Sequence, residues 1–333
     1  MNSNTKSIVI RGIGSSVPQQ KLTNKDLSKI VDTDDEWITT RTGIKERRIA
    51  GKDLQVSELG RAAAQKALDS AGVKAEEIDL IIVATLSSEM ISPATSCIIQ
   101  EKLGCRAVPS FDLNAACSGF LYSLEVGKSM MLNGEYENAL VIGVEKLTSY
   151  TDYEDRTTCI LFGDGAGAAV LSKTDGEGLG ILGCKLGADG GNAPLIQIPA
   201  GGSARPASIE TVEAREHYLR MNGREVFKVA VRGMAQAATD ILEKHGIDPS
   251  ELKCIVPHQA NIRIIEAIAK SLQLSDDRMF VNIQKYGNTS AASIPIALDE
   301  AKIERNFKKG DPILLVAFGA GLTWAASVIR WYE

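Results

Sequence analysis

Three side chains suited to covalent acyl chemistry stand at the ends of apolar runs in this chain. They are Cys117 in Phe111-Asp-Leu-Asn-Ala-Ala-Cys-Ser-Gly-Phe, His258 in Ile255-Val-Pro-His-Gln-Ala-Asn, and Asn288 in Tyr286-Gly-Asn-Thr-Ser. A thiolate attacks carbonyl carbon, an imidazole moves protons or donates hydrogen bonds, and a carboxamide orients or stabilises charge. A β-rich run delivers Cys117 to the first turn of a helix. Unpaired N–H groups and the positive end of the helix macrodipole favour a thiolate there, so the sequence predicts a lowered thiol pKa. Small neighbours and Gly119 leave room for a substrate.

Each of these residues also has a plainer use. His258 could be a packed histidine at a strand end, although Pro257, Gln259 and Asn261 crowd polar groups around it. Asn288 could cap a helix, and its amide would then face the backbone at the expense of a ligand. His245, just before Gly246, is explained by a helix C-terminus, and His217 has no distinguishing context. The glycine-rich pieces 163–167 and 319–321 lack the lysine of a phosphate loop and read as tight turns. N–H groups near 319–321 form a candidate oxyanion hole.

The elements that must position these residues repeat along the chain. Ala71-Gly-Val and Ile78-Asp-Leu-Ile-Ile-Val-Ala correspond to His245-Gly-Ile and Leu252-Lys-Cys-Ile-Val-Pro-His at an offset of 174 (258 − 84), which also carries Asn114 onto Asn288. Phe162-Gly-Asp-Gly-Ala-Gly-Ala is echoed from Phe318 at an offset of 156, which places about 18 extra residues in the first half, around 146–156. Periodicity predicts helices over 56–71, 114–133, 224–245, 259–272 and 289–304. β runs are predicted at 78–84, 139–145, 166–171, 252–257, 313–318 and 325–331. Each half reads as strand, helix, strand, helix, strand, helix, then two strands, the pattern of an α/β fold with helices packed on buried sheets. Related halves imply a pseudo-twofold axis, which would bring the starts of the two central helices, and so Cys117 and Asn288, into one pocket.

Composition narrows the function further. The chain has 333 residues, and 37 basic against 42 acidic side chains give a net charge of −5. Without a long basic block there is little reason to expect nucleic-acid binding. The N-terminus lacks the apolar stretch of a secretory signal, and the longest apolar run, Ile313 to Ile329, is broken by glycines and reads as two strands. No membrane segment is therefore expected. The cysteines at 97, 105, 117, 159, 184 and 254 form no Cys-x-x-Cys pair and do not cluster with the histidines. Neither a metal site nor a disulfide scaffold is indicated, and a reducing, cytoplasmic setting fits. Arg224, Lys228 and Arg232 recur every four residues, and Arg263 and Lys270 are seven apart. Each set would lie on one helical face, as solvated surface or as a docking patch for an acidic partner. Trp37 beside Arg41 suits a nucleotide-like group.

Taken together, Asp35-Glu-Trp-Ile with Arg41-Thr-Gly-Ile, Ala115-Ala-Cys-Ser-Gly-Phe, Phe162-Gly-Asp-Gly-Ala-Gly-Ala, Met221-Asn-Gly-Arg-Glu-Val-Phe-Lys, Pro257-His-Gln-Ala-Asn-Ile-Arg and Gly287-Asn-Thr-Ser-Ala-Ala-Ser-Ile-Pro resemble the β-ketoacyl-[acyl-carrier-protein] synthase III family of the thiolase superfamily. The resemblance runs over nearly the whole chain. It implies a duplicated thiolase-like αβαβα fold, with residues 1–175 carrying the cysteine and 176–333 the histidine and asparagine, assembled as a homodimer.

The implied reaction starts fatty-acid synthesis. Acyl-CoA, a substrate and not a cofactor, would acylate Cys117. Malonyl-carrier protein would then lose carbon dioxide, with His258 and Asn288 stabilising the enolate that attacks the acyl group. By the same resemblance, backbone N–H groups of Cys117 and Ala320 form the oxyanion hole; a positive φ at Ala320 would count against it. Trp37, Arg41, Thr42 and Arg156 match contacts to the nucleotide end of CoA, and Gly223, Phe227 and Asn261 match the pantetheine tunnel. Lys228, Arg263 and Lys270 match the carrier-protein patch. Ser92, before Pro93, stands where some members carry a phenylalanine limiting the acyl pocket, a space that Met90 or Ile91 could fill. The competing readings are a related acyltransferase or specialised-metabolite synthase, and a thiol hydrolase.

Overall fold

The computed structural model describes residues 6–175 and 178–332. Two mixed sheets carry the chain. In the first, strands run in the order Ser7–Ser16, Asp164–Thr174, Asn138–Lys146, Leu80–Ala84 and Ser110–Leu113. In the second the order is Gly180–Ala188, Thr323–Arg330, Pro312–Gly319 and Cys254–Pro257. The pairings match in direction: Leu80–Ala84 is parallel to Asn138–Lys146, as Cys254–Pro257 is to Pro312–Gly319, and Asp164–Thr174 and Thr323–Arg330 are each antiparallel to both neighbours. At the place of Ser110–Leu113 the second half has only a single parallel bridge between Ile255 and Met279.

Five layers result. The helices Gly119–Asn133 and Ser293–Glu304 lie between the sheets, where Phe120, Leu124, Ile294 and Leu298 join one core with Val141 and Leu315 from the two sheets. Both are apolar around most of their circumference, as a helix buried on all sides requires. The outer helices are one-sided. Val56–Ala71 buries Leu59, Ala63, Ala67 and Leu68 against the first sheet, and Gly223–His245 buries Ala230, Met234, Ala237 and Ile241 against the second. The fold is thus the duplicated layered arrangement that the repeat implied.

One local reading changes. The glycines at 165 and 167 lie inside the strand Asp164–Thr174, not in a turn. A Cβ at Gly167 would stand 2.7 Å from Pro295 Cβ, so these glycines let the central helix press onto the strand. The insertion falls where the repeat placed it. Residues 147–163 join Asn138–Lys146 to Asp164–Thr174, whereas the equivalent strands Pro312–Gly319 and Thr323–Arg330 are joined by 320–322 alone. The boundary expected between 175 and 176 abuts residues 176 and 177, which lie outside the described residues.

Candidate active site

Cys117 occupies a short 3₁₀ turn, Ala116–Ser118, that leads into the helix Gly119–Asn133. Asn114 builds this entry: its Oδ1 accepts from Ala116 N–H at 3.1 Å, and Ala116 takes a left-handed φ of 46°. The other half repeats the device 174 residues on. Asn288 Oδ1 accepts from Ser290 N–H at 2.8 Å, Ser290 has φ 48°, and the turn Ser290–Ala292 opens the second central helix. Gly319 closes the arrangement from the end of its strand, where a Cβ would come within 2.6 Å of Cys117 N.

Cys117, His258, Asn288 and Ala320 line one cavity of about 140 Å³, together with Gly223, Phe227 and Asn261 from the expected tunnel. Its walls are mainly apolar side chains, among them Leu147 and Leu161 of the insertion and Val226 and Met234 of the helix Gly223–His245. Ala320 is not among the residues with positive φ; Gly321, with φ 134°, makes the turn instead.

His258 follows the strand Cys254–Pro257 and is buried. Gln259 fixes the loop that carries it. Its side chain donates to Pro257 O and Phe280 O and accepts from Asn282 and Ile283 N–H groups. Burial away from charge lowers the His258 pKa to about 3, so the ring is neutral at physiological pH. The amide of Asn288 serves two uses that the sequence set against each other, because its oxygen holds the turn while its NH₂ is left to donate.

The thiol departs from expectation. Burial raises the Cys117 pKa to about 12; the Ser290 hydroxyl, hydrogen-bonded to the sulfur, works against that rise, and the nearby Glu145 carboxyl adds to it. Desolvation outweighs the helix start, and the free enzyme holds a thiol.

Among the other expected contacts, Arg41 and Arg156 lie over the Trp37 ring at 4.7 and 5.5 Å. Thr42 is buried, and its hydroxyl donates to Ile38 O at 2.7 Å and accepts from Ile44 N–H at 3.0 Å, serving the end of its helix. Lys228, Arg263 and Lys270 are exposed; Lys228 pairs with Glu225, and Arg263 donates to Thr40 O. Asn261 caps the helix Ile262–Ser271. Met90 is 45% and Ile91 95% exposed, and neither lines the cavity, so within one chain neither fills the space beside Ser92.

Three polar residues around the site escaped the sequence reading: Glu145, Ser290 and Ser293. Glu145 had a signal, a lone acid closing the apolar run Ala139–Val144, whereas the serines sit unmarked in an alanine-rich segment. Among the described residues no group of three or more His, Cys, Asp or Glu could hold a metal, and no helix is long and apolar enough to cross a membrane.

Comparison with known proteins covers nearly the whole chain. Residues 111–190 match the family model for 3-oxoacyl-[acyl-carrier-protein (ACP)] synthase III, and 242–331 match that for its C-terminal region. The chain is 53% identical to a β-ketoacyl-[acyl-carrier-protein] synthase III of Caldanaerobacter subterraneus subsp. tengcongensis, covering 97% of both chains. It is 50% identical to the one of Clostridioides difficile, covering 98% of this chain and 99% of that one. The crystal structure of 3-oxoacyl-[acyl-carrier-protein] synthase III from Aquifex aeolicus superposes with a TM-score of 0.90 at 48% identity, over 98% of this chain and 100% of that one.

Proposed function

We infer the chemistry of the cavity from one premise: the chain belongs to the 3-oxoacyl-[acyl-carrier-protein] synthase III family. It is an acyltransferase of the condensing type, which initiates fatty-acid synthesis by joining an acyl group from acyl-CoA to malonyl-carrier protein with loss of carbon dioxide. What supports the assignment of roles is that Cys117, His258, Asn288 and Ala320 line one cavity.

Acylation comes first. The sulfur of Cys117 attacks the thioester carbonyl, and the backbone N–H groups of Cys117 and Ala320 receive the oxyanion before CoA leaves. Malonyl-carrier protein then enters. As its carbon dioxide departs, charge develops on the thioester oxygen, where His258 and Asn288 donate hydrogen bonds. A neutral imidazole is suited to this, because it donates without needing to be charged in an apolar cavity. The carbanion attacks acyl-Cys117, freeing the thiol and the β-ketoacyl product.

Trp37, Arg41 and Arg156 form a stacking and charge platform for the nucleotide of CoA, with Thr42 holding the helix end behind them. Gly223, Phe227 and Asn261 line the passage inward. Exposed Lys228, Arg263 and Lys270 receive the acidic carrier protein. The working unit in this reading is a cytoplasmic homodimer without a resident cofactor, each protomer built from halves 1–175 and 176–333.

Mass spectrometry after mixing with acetyl-CoA, then malonyl-carrier protein, tests the scheme. It predicts an acyl adduct on Cys117, followed by carbon dioxide and a β-ketoacyl-carrier product. Free acid as the sole product would replace condensation by hydrolysis.

A further inference from the structure

Glu145 is the penultimate residue of the strand Asn138–Lys146 and has no solvent exposure, yet it forms no ion pair among the described residues. Its carboxyl accepts hydrogen bonds from Ser87 Oγ at 2.5 Å, Ser87 N–H at 3.1 Å, and Leu86 N–H and Thr85 Oγ1 at 3.3 Å each. A fifth donor is Ser290 Oγ, at 3.0 Å from Oε1. Gly143 permits this approach, since a Cβ there would fall 2.3 Å from Ala291 O in the Ser290 turn. Ser290 lines the cavity together with Cys117, and its hydroxyl is the hydrogen-bonding group that favours the ionised sulfur. A hydroxyl has one proton. When it donates to Glu145 it must accept from Cys117, which sets S–H, O–H and carboxylate in one line.

We propose that Glu145, acting through Ser290, takes the proton of Cys117 as the sulfur attacks acyl-CoA. The Cys117 proton moves to Ser290 Oγ while the Ser290 proton moves to Glu145 Oε1. The sulfur forms its bond to the acyl carbon, the carbon–sulfur bond to CoA breaks, and Glu145 returns the proton through Ser290 to the departing CoA sulfur. Thiol and thioester enter, and thioester and thiol leave. Ser290 touches the reacting atom; Glu145 is a positioning residue behind it. The exchange keeps one negative charge in the buried site throughout, which avoids creating a second charge in an apolar cavity.

Burial raises the Glu145 pKa to about 7, opposed by its hydrogen bonds from Ser87, Ser290 and Leu86, so that it can both take and give up a proton near neutrality. The titratable groups that face it are Cys117 and Tyr150 of the insertion, both shifted upward in part by its charge. The neighbouring Lys146 turns away, its Nζ donating to Gly51 O and Leu54 O.

The test is the pH dependence of CoA release in a single acylation turnover. With the relay, the wild-type rate climbs to a plateau through a pKa near that of Glu145. A bare thiol ionising near 12 would instead give a rate still rising about tenfold per pH unit above pH 8. Glu145→Gln is expected to slow acylation about 100-fold at pH 7 and to remove the plateau, with Glu145→Asp restoring both in part. Ser290→Ala should give the same profile as Glu145→Gln. A wild-type rate that climbs without a plateau overturns the relay, even if no variant folds. So does a Glu145→Gln enzyme with the wild-type rate, or one that is slower with an unchanged pH profile, since that loss would be structural.

Discussion

Ser293 Oγ lies 2.6 Å from Nδ1 of His258, and Ser293 is the first residue of the second central helix, directly after the Ser290–Ala292 turn. Gln259 N–H donates to the same oxygen at 3.4 Å and takes one of its acceptor sites, while the Ser293 proton is available to Nδ1. The donor role proposed for His258 requires the tautomer in which Ser293 donates to Nδ1 and the ring proton sits on Nε2, facing substrate.

Ser293→Ala frees Nδ1 to carry the proton and lets the ring tautomer drift. Malonyl-carrier decarboxylation is expected to fall about tenfold, the effect of losing one hydrogen bond of about 1.4 kcal/mol. Acyl-Cys117 should still form at the wild-type rate. Radiolabelled carbon dioxide release, compared with adduct formation by mass spectrometry, separates the two steps; equal losses in both would count against the tautomer assignment.

Asn288→Asp isolates the donor role of the carboxamide. The carboxylate keeps the acceptor that holds Ser290 N–H, so the turn persists, but the NH₂ is gone and a negative charge faces the enolate. Decarboxylation is expected to drop about 10²–10³-fold, the usual cost of losing a donor at a developing oxyanion. Retention of more than half the wild-type decarboxylation rate would remove Asn288 from the reaction.

The repeat explains why so much of this site was legible. Ala116 and Ser290 share a left-handed backbone, Asn114 and Asn288 share an amide-to-backbone bond, and all four obey the 174 offset read from sequence. Periodicity and duplication report elements and their symmetry, so the meeting of Cys117 with His258 and Asn288 could be anticipated. Desolvation could not. The thiol pKa depends on what encloses the sulfur, and Leu161, Met234 and Phe318 come to its cavity from distant segments. The packing glycines misread as a turn failed for the same reason, since the helix pressing on them is over a hundred residues away.

Gly319 offers a steric test of the oxyanion hole. A Cβ there would stand 2.6 Å from Cys117 N and 3.1 Å from Ser118 N, both backbone atoms that cannot swing aside. Gly319→Ala is expected to push the Cys117 turn away from Ala320, slowing acylation about 100-fold and costing about 1–3 kcal/mol of stability. Chemical denaturation and CoA release read the two effects. An unchanged acylation rate would show that the N–H pair tolerates displacement.

Stability against pH carries the last prediction, because Glu145 and His258 pull in opposite directions. Glu145 moves from 4.5 to about 7 in the folded protein, so its favourable contribution is complete below pH 4.5 and is lost as pH rises through 7. His258 moves from 6.5 to about 3, so its contribution is complete above pH 6.5 and is lost as pH falls through 3. Each slope is about 1.4 kcal/mol per pH unit. Between pH 4.5 and 6.5 they cancel in the wild type. Glu145→Gln should unmask a stability that rises with pH across that window relative to wild type, and His258→Gln one that falls. Urea midpoints for the three proteins from pH 4.5 to 6.5 provide the measurement, and parallel curves would mean that neither group keeps its shifted protonation in the folded chain.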